Sequence, residues 1–144
     1  MIIEGINMKK FLIALSLCLT AGSSFAAQNV NELLKEYQAE AKKADAKFTG
    51  FDAKRGEQFY HAKHEKNGKE VSCATCHMDD PKKVGKNPKT NKEIHPMAPV
   101  AYDKRFADPA KTEKAFHRNC NDMLGRSCTA QEKGDFITYL NSVK

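Results

Sequence analysis

Apolar positions recur near a 3.6-residue period along most of the chain, and that period predicts helices. From Asn31 to about Ala46, the residues Leu33, Leu34, Tyr37, Ala41 and Ala44 share helical spacing, with Asn31 at the N-cap position. A break at FTGF follows. The stretch DAKRGEQFYHAKH then opens at Asp52, a good capping residue, and carries Gly56, Phe59 and Tyr60. A glycine inside a helix costs about 1 kcal/mol against alanine, tolerable where another helix crosses closely. Asp108 and Pro109 begin a further helix through about Arg118, with proline at its first position. Thr129 and Glu132 form a capping box before a last helix that carries Phe136, Ile137 and Leu140. No strand signal, repeat or low-complexity segment breaks this pattern, so the expected fold is all-α.

The periodicity fails between Met78 and about Ala107. This part is rich in Lys, Pro, Asn and Asp, and NPKTNKE and HPMAP read as turns and extended loop. So long an irregular stretch is out of place in a compact domain unless it wraps something.

The N-terminus carries an address. From Met8, MKK is followed by the short apolar run FLIALSLCLTA and by GSSFA, the pattern of a secretory signal cleaved after Ala26. The expected organisation is a signal peptide over 1–26 and one small domain over 27–144, exported to the periplasm and not integral to the membrane after cleavage. The net charge of +6 favours anionic partners in general and identifies none. No arginine-rich patch interleaved with aromatics is present, which together with export argues against nucleic acid.

Of the five cysteines, Cys18 leaves with the signal. Cys120 and Cys128 are free to pair in an oxidising compartment. Cys73 and Cys76 belong to CATCH, which ends in His77. On a helical turn, residues i, i+3 and i+4 face one way. Two thiols can then add to the two vinyl groups of a haem while His77 presents its imidazole to the iron, the c-type attachment signal. A zinc site would want two closely spaced ligand pairs, and a redox dithiol would want a βαβ context. One motif implies one covalent haem c, whose apolar surface would supplement a core poor in large side chains.

The opposite axial position has several chemical candidates. Met123 is the only methionine between 119 and 128, the stretch expected to be a loop before the last helix. Met97 is a second candidate, and His61, His64, His95 and His117 are others. Met78 is too near His77 to reach the far face.

KRGEQFY and GDFITYL resemble the N- and C-terminal helices of a class I cytochrome c. RNCNDMLGRSCT followed by EKGD resembles the sphaeroides haem protein (SHP) family, oxygen-binding class I cytochromes c. The likeness extends over CATCH, NPKTNKEIHPMAP, RFADPAKTEK and the last helix. It implies a class I cytochrome c fold wrapped around one haem, His77 as proximal ligand, and Asn119 as distal ligand in the ferric state. It also implies a Cys120–Cys128 disulfide. The asparagine would leave on reduction, opening the ferrous iron to O2, NO or CO. Electrons would come from a dihaem cytochrome c and a membrane cytochrome b. A neutral amide oxygen suits ferric iron better than ferrous iron, in keeping with such release. Met123 departs from the family pattern, and with it stands an alternative reading, a low-spin His77/Met123 electron carrier. Carrier, gas sensor and oxygen-reducing enzyme share this chemistry, and no residue in the sequence is marked as a proton source.

Overall fold

The computed structural model describes residues 22–144, with side chains from Asn29 onward. Most of the expected signal peptide lies outside the described residues. The first helix, α1, runs over Gly22–Ala44 and so passes through the expected cleavage point after Ala26. Asn31 is therefore inside a helix and is no N-cap. Val30, Leu33, Tyr37 and Ala41 form its buried stripe, while Ala44 is exposed.

Helix α2 spans Ala53–His61 and starts where the sequence places it. Asp52 is its N-cap, and the carboxylate accepts from the Arg55 N–H at 2.7 Å. A hairpin follows, with strands β1 (His64–Lys66) and β2 (Lys69–Val71) paired antiparallel. Its turn is Asn67-Gly68, both residues at positive φ (54° and 72°), as a tight hairpin turn requires. The expectation of no strands fails here, because strands this short and charged carry no hydrophobic alternation. Helix α3 is the single turn Cys73–His77.

The irregular middle is held by its own backbone. The Pro81 carbonyl accepts from the N–H groups of Met97 and Ala98 at 2.8 and 2.9 Å. Two two-residue strands, β3 (Gly85–Lys86) and β4 (Glu93–Ile94), pair antiparallel across a turn closed by Asn87.

Helix α4 spans Pro109–Leu124, six residues beyond the expected end at Arg118. Thr112, Phe116 and Cys120 recur every four residues as its buried face, so packing carries the helix past Asn119 and Asn121. Gly125, at φ +67°, ends it, donating its N–H to the Asn121 carbonyl at 3.1 Å. Helix α5 spans Ala130–Ser142 behind the Thr129/Glu132 capping box.

The core is built around α5, with Ile137 and Leu140 fully buried. The Phe136 ring meets Phe116 edge-on at 5.6 Å, and Phe59 at 6.2 Å. Helices α2 and α5 cross in close contact. A Cβ on Gly56 would lie 2.0 Å from the Asp135 carbonyl oxygen, which explains the glycine within a helix. Asp135 is buried there, and its carboxylate accepts from Arg55 Nε at 2.8 Å, Arg55 Nη2 at 2.9 Å and the Asp52 N–H at 2.7 Å. A second polar tie joins α1, α4 and α5: Glu113 accepts from the Tyr37 hydroxyl and, at 2.8 Å, from Lys133 Nζ.

Candidate functional site

The CATCH turn is positioned from both ends. Ser72 caps α3, its hydroxyl accepting from the Thr75 N–H, while the Thr75 hydroxyl accepts from the Ser72 N–H at 2.8 Å. At the other end, the fully buried Tyr60 on α2 shares its hydroxyl proton between the carbonyls of Met78 (2.7 Å) and His77 (3.1 Å). The backbone of β3 seats directly on the turn: a Cβ on Gly85 would lie 2.2 Å from the Cys76 carbonyl oxygen. Tyr60 and Gly85 escape a sequence reading, since their partners come from the fold.

Cys73, Cys76 and His77 are half-buried on this turn, both thiols free. Burial pushes the Cys73 thiol up to about 11, so it is protonated at neutral pH. Burial, aided by the positive charge of Arg105, pulls His77 down to about 4. Its imidazole is thus neutral at pH 7, the form that ligates metals. His77 Nδ1 is buried without a hydrogen-bond partner among the described residues. Leaving such a nitrogen unsatisfied is costly. Two thiols at the attachment spacing beside a neutral, under-satisfied imidazole fit a covalently held haem.

Cys120, buried on α4, is joined by a disulfide to Cys128, just before α5. This pair is spent in the bridge and cannot join Cys73 and Cys76 in a four-ligand zinc site. Asn119 lies one residue before the bridge, in the interior of α4, and is exposed. The helix-cap role open to an asparagine falls to Gly125 instead, because α4 continues through Asn119. The Asn119 side-chain oxygen accepts only a long 3.4 Å contact from Arg118 Nε. Met123, half-buried, is four residues further and so shares a helix face with Asn119. Residues 119–124 are helix, and the loop before α5 is correspondingly short. Among the described residues no hydrogen bond links Asn119 to α3. The hairpin preceding α3 reaches α4 through Lys66 and Asp122, 3.7 Å apart.

The other candidates are scattered. Met97 is buried in the core. His95 is exposed and stacks on Tyr102 at 4.4 Å, and His117 is exposed on α4. His61 lies 3.8 Å from Asp79, and His64 is in β1. Among the described residues no helix is long and apolar enough to cross a membrane.

Residues 45–140 match a family described as a domain of unknown function (DUF1924). The chain is 36% identical over 135 residues to cytochrome c'' of Methylophilus methylotrophus, covering 93% of this chain and 94% of that protein. It is 48% identical over 69 residues to the cytochrome c-type protein SHP of Cereibacter sphaeroides, 48% of this chain and 53% of that protein. The solution structure of that cytochrome c'', which concerns haem-ligand detachment, superposes with a TM-score of 0.74 at 39% identity, covering 82% of this chain and 97% of the other. Oxidised SHP, described as an oxygen-binding cytochrome c, superposes with a TM-score of 0.68 at 37% identity, covering 77% of this chain and 94% of the other.

Proposed function

The chain belongs to the family of cytochrome c'' and SHP and is a haem-containing c-type cytochrome of all-α fold, and from that premise we propose that it binds small gases at a redox-gated iron. Cys73 and Cys76 would hold one haem c by thioether bonds, with His77 as the proximal ligand. Bound there, the haem would supply redox and gas-binding chemistry, and Asn119 would be the distal ligand of the ferric state, let go on reduction so that O2, NO or CO could bind. Asn119 carries this reading. It is an exposed carboxamide in mid-helix, with no capping duty and only one long contact.

Each residue has a definite task. Ser72 and Tyr60 fix the turn that presents His77. Desolvation keeps His77 neutral and able to ligate. The amide oxygen of Asn119 is a hard, weak donor that prefers ferric to ferrous iron. The disulfide pins the backbone beside Asn119, so release needs only a local change at the end of α4. Oxygen binding by SHP and haem-ligand detachment in cytochrome c'' support the same chemistry here. Electrons arrive from a dihaem cytochrome c and a membrane cytochrome b. The protein works in the periplasm after removal of residues 1–26, a compartment in which a disulfide persists.

Met123 supports a second reading, a His77/Met123 electron carrier, because it shares the Asn119 face of α4 and is half-buried. Ferric optical and paramagnetic-resonance spectra of two variants separate them. Under the proposal, Asn119→Ala converts the ferric signal to a five-coordinate or water-ligated one, and Met123→Ala leaves it as in the wild type. The reverse pattern assigns the ligand to Met123.

A further inference from the structure

Arg55 and Arg126 each face a carboxylate, Asp135 and Glu132 respectively. Arg105 does not. It lies half-buried in the segment before α4, with its guanidinium directed at main-chain carbonyls. Nε donates to the Pro96 oxygen at 3.0 Å, and Nη2 donates to the oxygens of Pro96 at 2.6 Å and His95 at 2.8 Å. The guanidinium carbon sits 5.3 Å from the centre of the Tyr102 ring. None of these partners carries a negative charge, and Arg105 makes no ion pair among the described residues. Nη1 has no protein acceptor among them either.

A cation drawn out of water without a counter-charge is costly. Burial accordingly lowers the pKa of Arg105. Its anchor His95 directly follows β4, whose Ile94 pairs with Gly85, the residue seated against the Cys76 carbonyl and the His77 Cα. The arrangement holds a guanidinium fork, the geometry that matches a carboxylate bidentately, beside the attachment turn with its charge uncompensated by protein. A haem brings two propionate carboxylates.

We propose that Arg105 is a positioning residue that pairs with a haem propionate and, through its charge, favours the reduced iron. The inference rests on haem attachment at Cys73 and Cys76. It adds that the stretch HPMAPVAYDKR, otherwise a loop, serves to aim Arg105: the carbonyls of His95 and Pro96 hold the guanidinium still. A role confined to tying this loop together would alter stability and leave the potential unmoved.

The test is redox potentiometry of purified holoprotein, wild type, Arg105→Gln, Arg105→Lys and, as an exposed control, Lys104→Gln. Mass analysis of the wild type comes first; absence of covalent haem overturns the attachment reading and this inference with it. With haem present, Arg105→Gln is expected to shift the reduction equilibrium about tenfold toward the ferric state, ~59 mV for one electron. Arg105→Lys stays within about threefold of the wild type, and Lys104→Gln does not move it. An unchanged potential in Arg105→Gln overturns the proposal. If that variant accumulates no holoprotein, Arg105→Lys decides by the propionate bending band in its resonance Raman spectrum. A displaced band supports the pairing, and an unmoved band overturns it.

Discussion

Replacing Gly56 by alanine tests the helix crossing on which the fold depends. A Cβ there would lie 2.0 Å from the Asp135 carbonyl oxygen, 2.6 Å from its carbon and 2.8 Å from Tyr139 Cβ. Two of these atoms are backbone and the third is a Cβ, so none can rotate away. To regain ordinary contact, α5 must retreat from α2 by about 1.4 Å. That movement disturbs Phe136, Ile137 and Leu140, which α5 buries in the core. Alanine returns about 1 kcal/mol of intrinsic helix propensity, and overpacking costs about 3 kcal/mol where backbone must shift. The expected net loss is about 2 kcal/mol, or roughly 8 °C in Tm for a chain of this size. Thermal and urea unfolding of haem-matched holoproteins, followed by far-ultraviolet circular dichroism, measures it. Gly134→Ala is the comparison, since the nearest atoms to its Cβ belong to the Phe51 ring, a side chain rather than backbone. A Gly56→Ala variant as stable as the wild type, or one less affected than Gly134→Ala, would refute the reasoning.

Gly85→Ala presses a Cβ against the Cys76 carbonyl at 2.2 Å and should displace α3, at a cost of about 2 kcal/mol. Covalent haem content per protein, read by mass and absorbance, is expected to fall with stability; full content at wild-type Tm would contradict the close seating of β3. Glu132→Gln tests the entry to α5. The Arg126 hydrogen bond and the capping contacts at Thr129 hold the Glu132 carboxyl below its usual range. A depressed folded-state value means stability that is present above the unfolded pKa and lost as pH falls through the folded one. Allowing for the exposure of Arg126, Glu132→Gln should cost about 1 kcal/mol at neutral pH. The difference should close as pH falls through the depressed folded-state value, where the carboxylate becomes protonated. A gap in urea midpoints that stays constant with pH would contradict this.

The sequence announces its helices where capping chemistry is local. Asp52, Asp108-Pro109 and the Thr129/Glu132 box all stand where the structure uses them. The Gly56 crossing is legible for a related reason, because a glycine in a helix needs a tertiary cause. The end of α4 is not legible. Asn119 and Asn121 look like an exit, and only the continuation of Thr112 and Phe116 into Cys120 shows that packing overrides propensity. The first hairpin had a readable signal in Asn67-Gly68, obscured by charged flanking residues with no apolar face. Within the site, CATCH is legible because its spacing is its chemistry. Arg105, Tyr60 and Gly85 are not, since each matters only through a residue 9 or more positions away that folding brings beside it.

The central claim is that reduction frees one face of the iron. The direct measurement is the optical spectrum of the dithionite-reduced wild-type holoprotein before and immediately after addition of carbon monoxide. The account predicts a high-spin ferrous spectrum that shifts at once with the gas. A low-spin ferrous spectrum indifferent to carbon monoxide would contradict it and leave a thioether or imidazole holding the iron in both redox states.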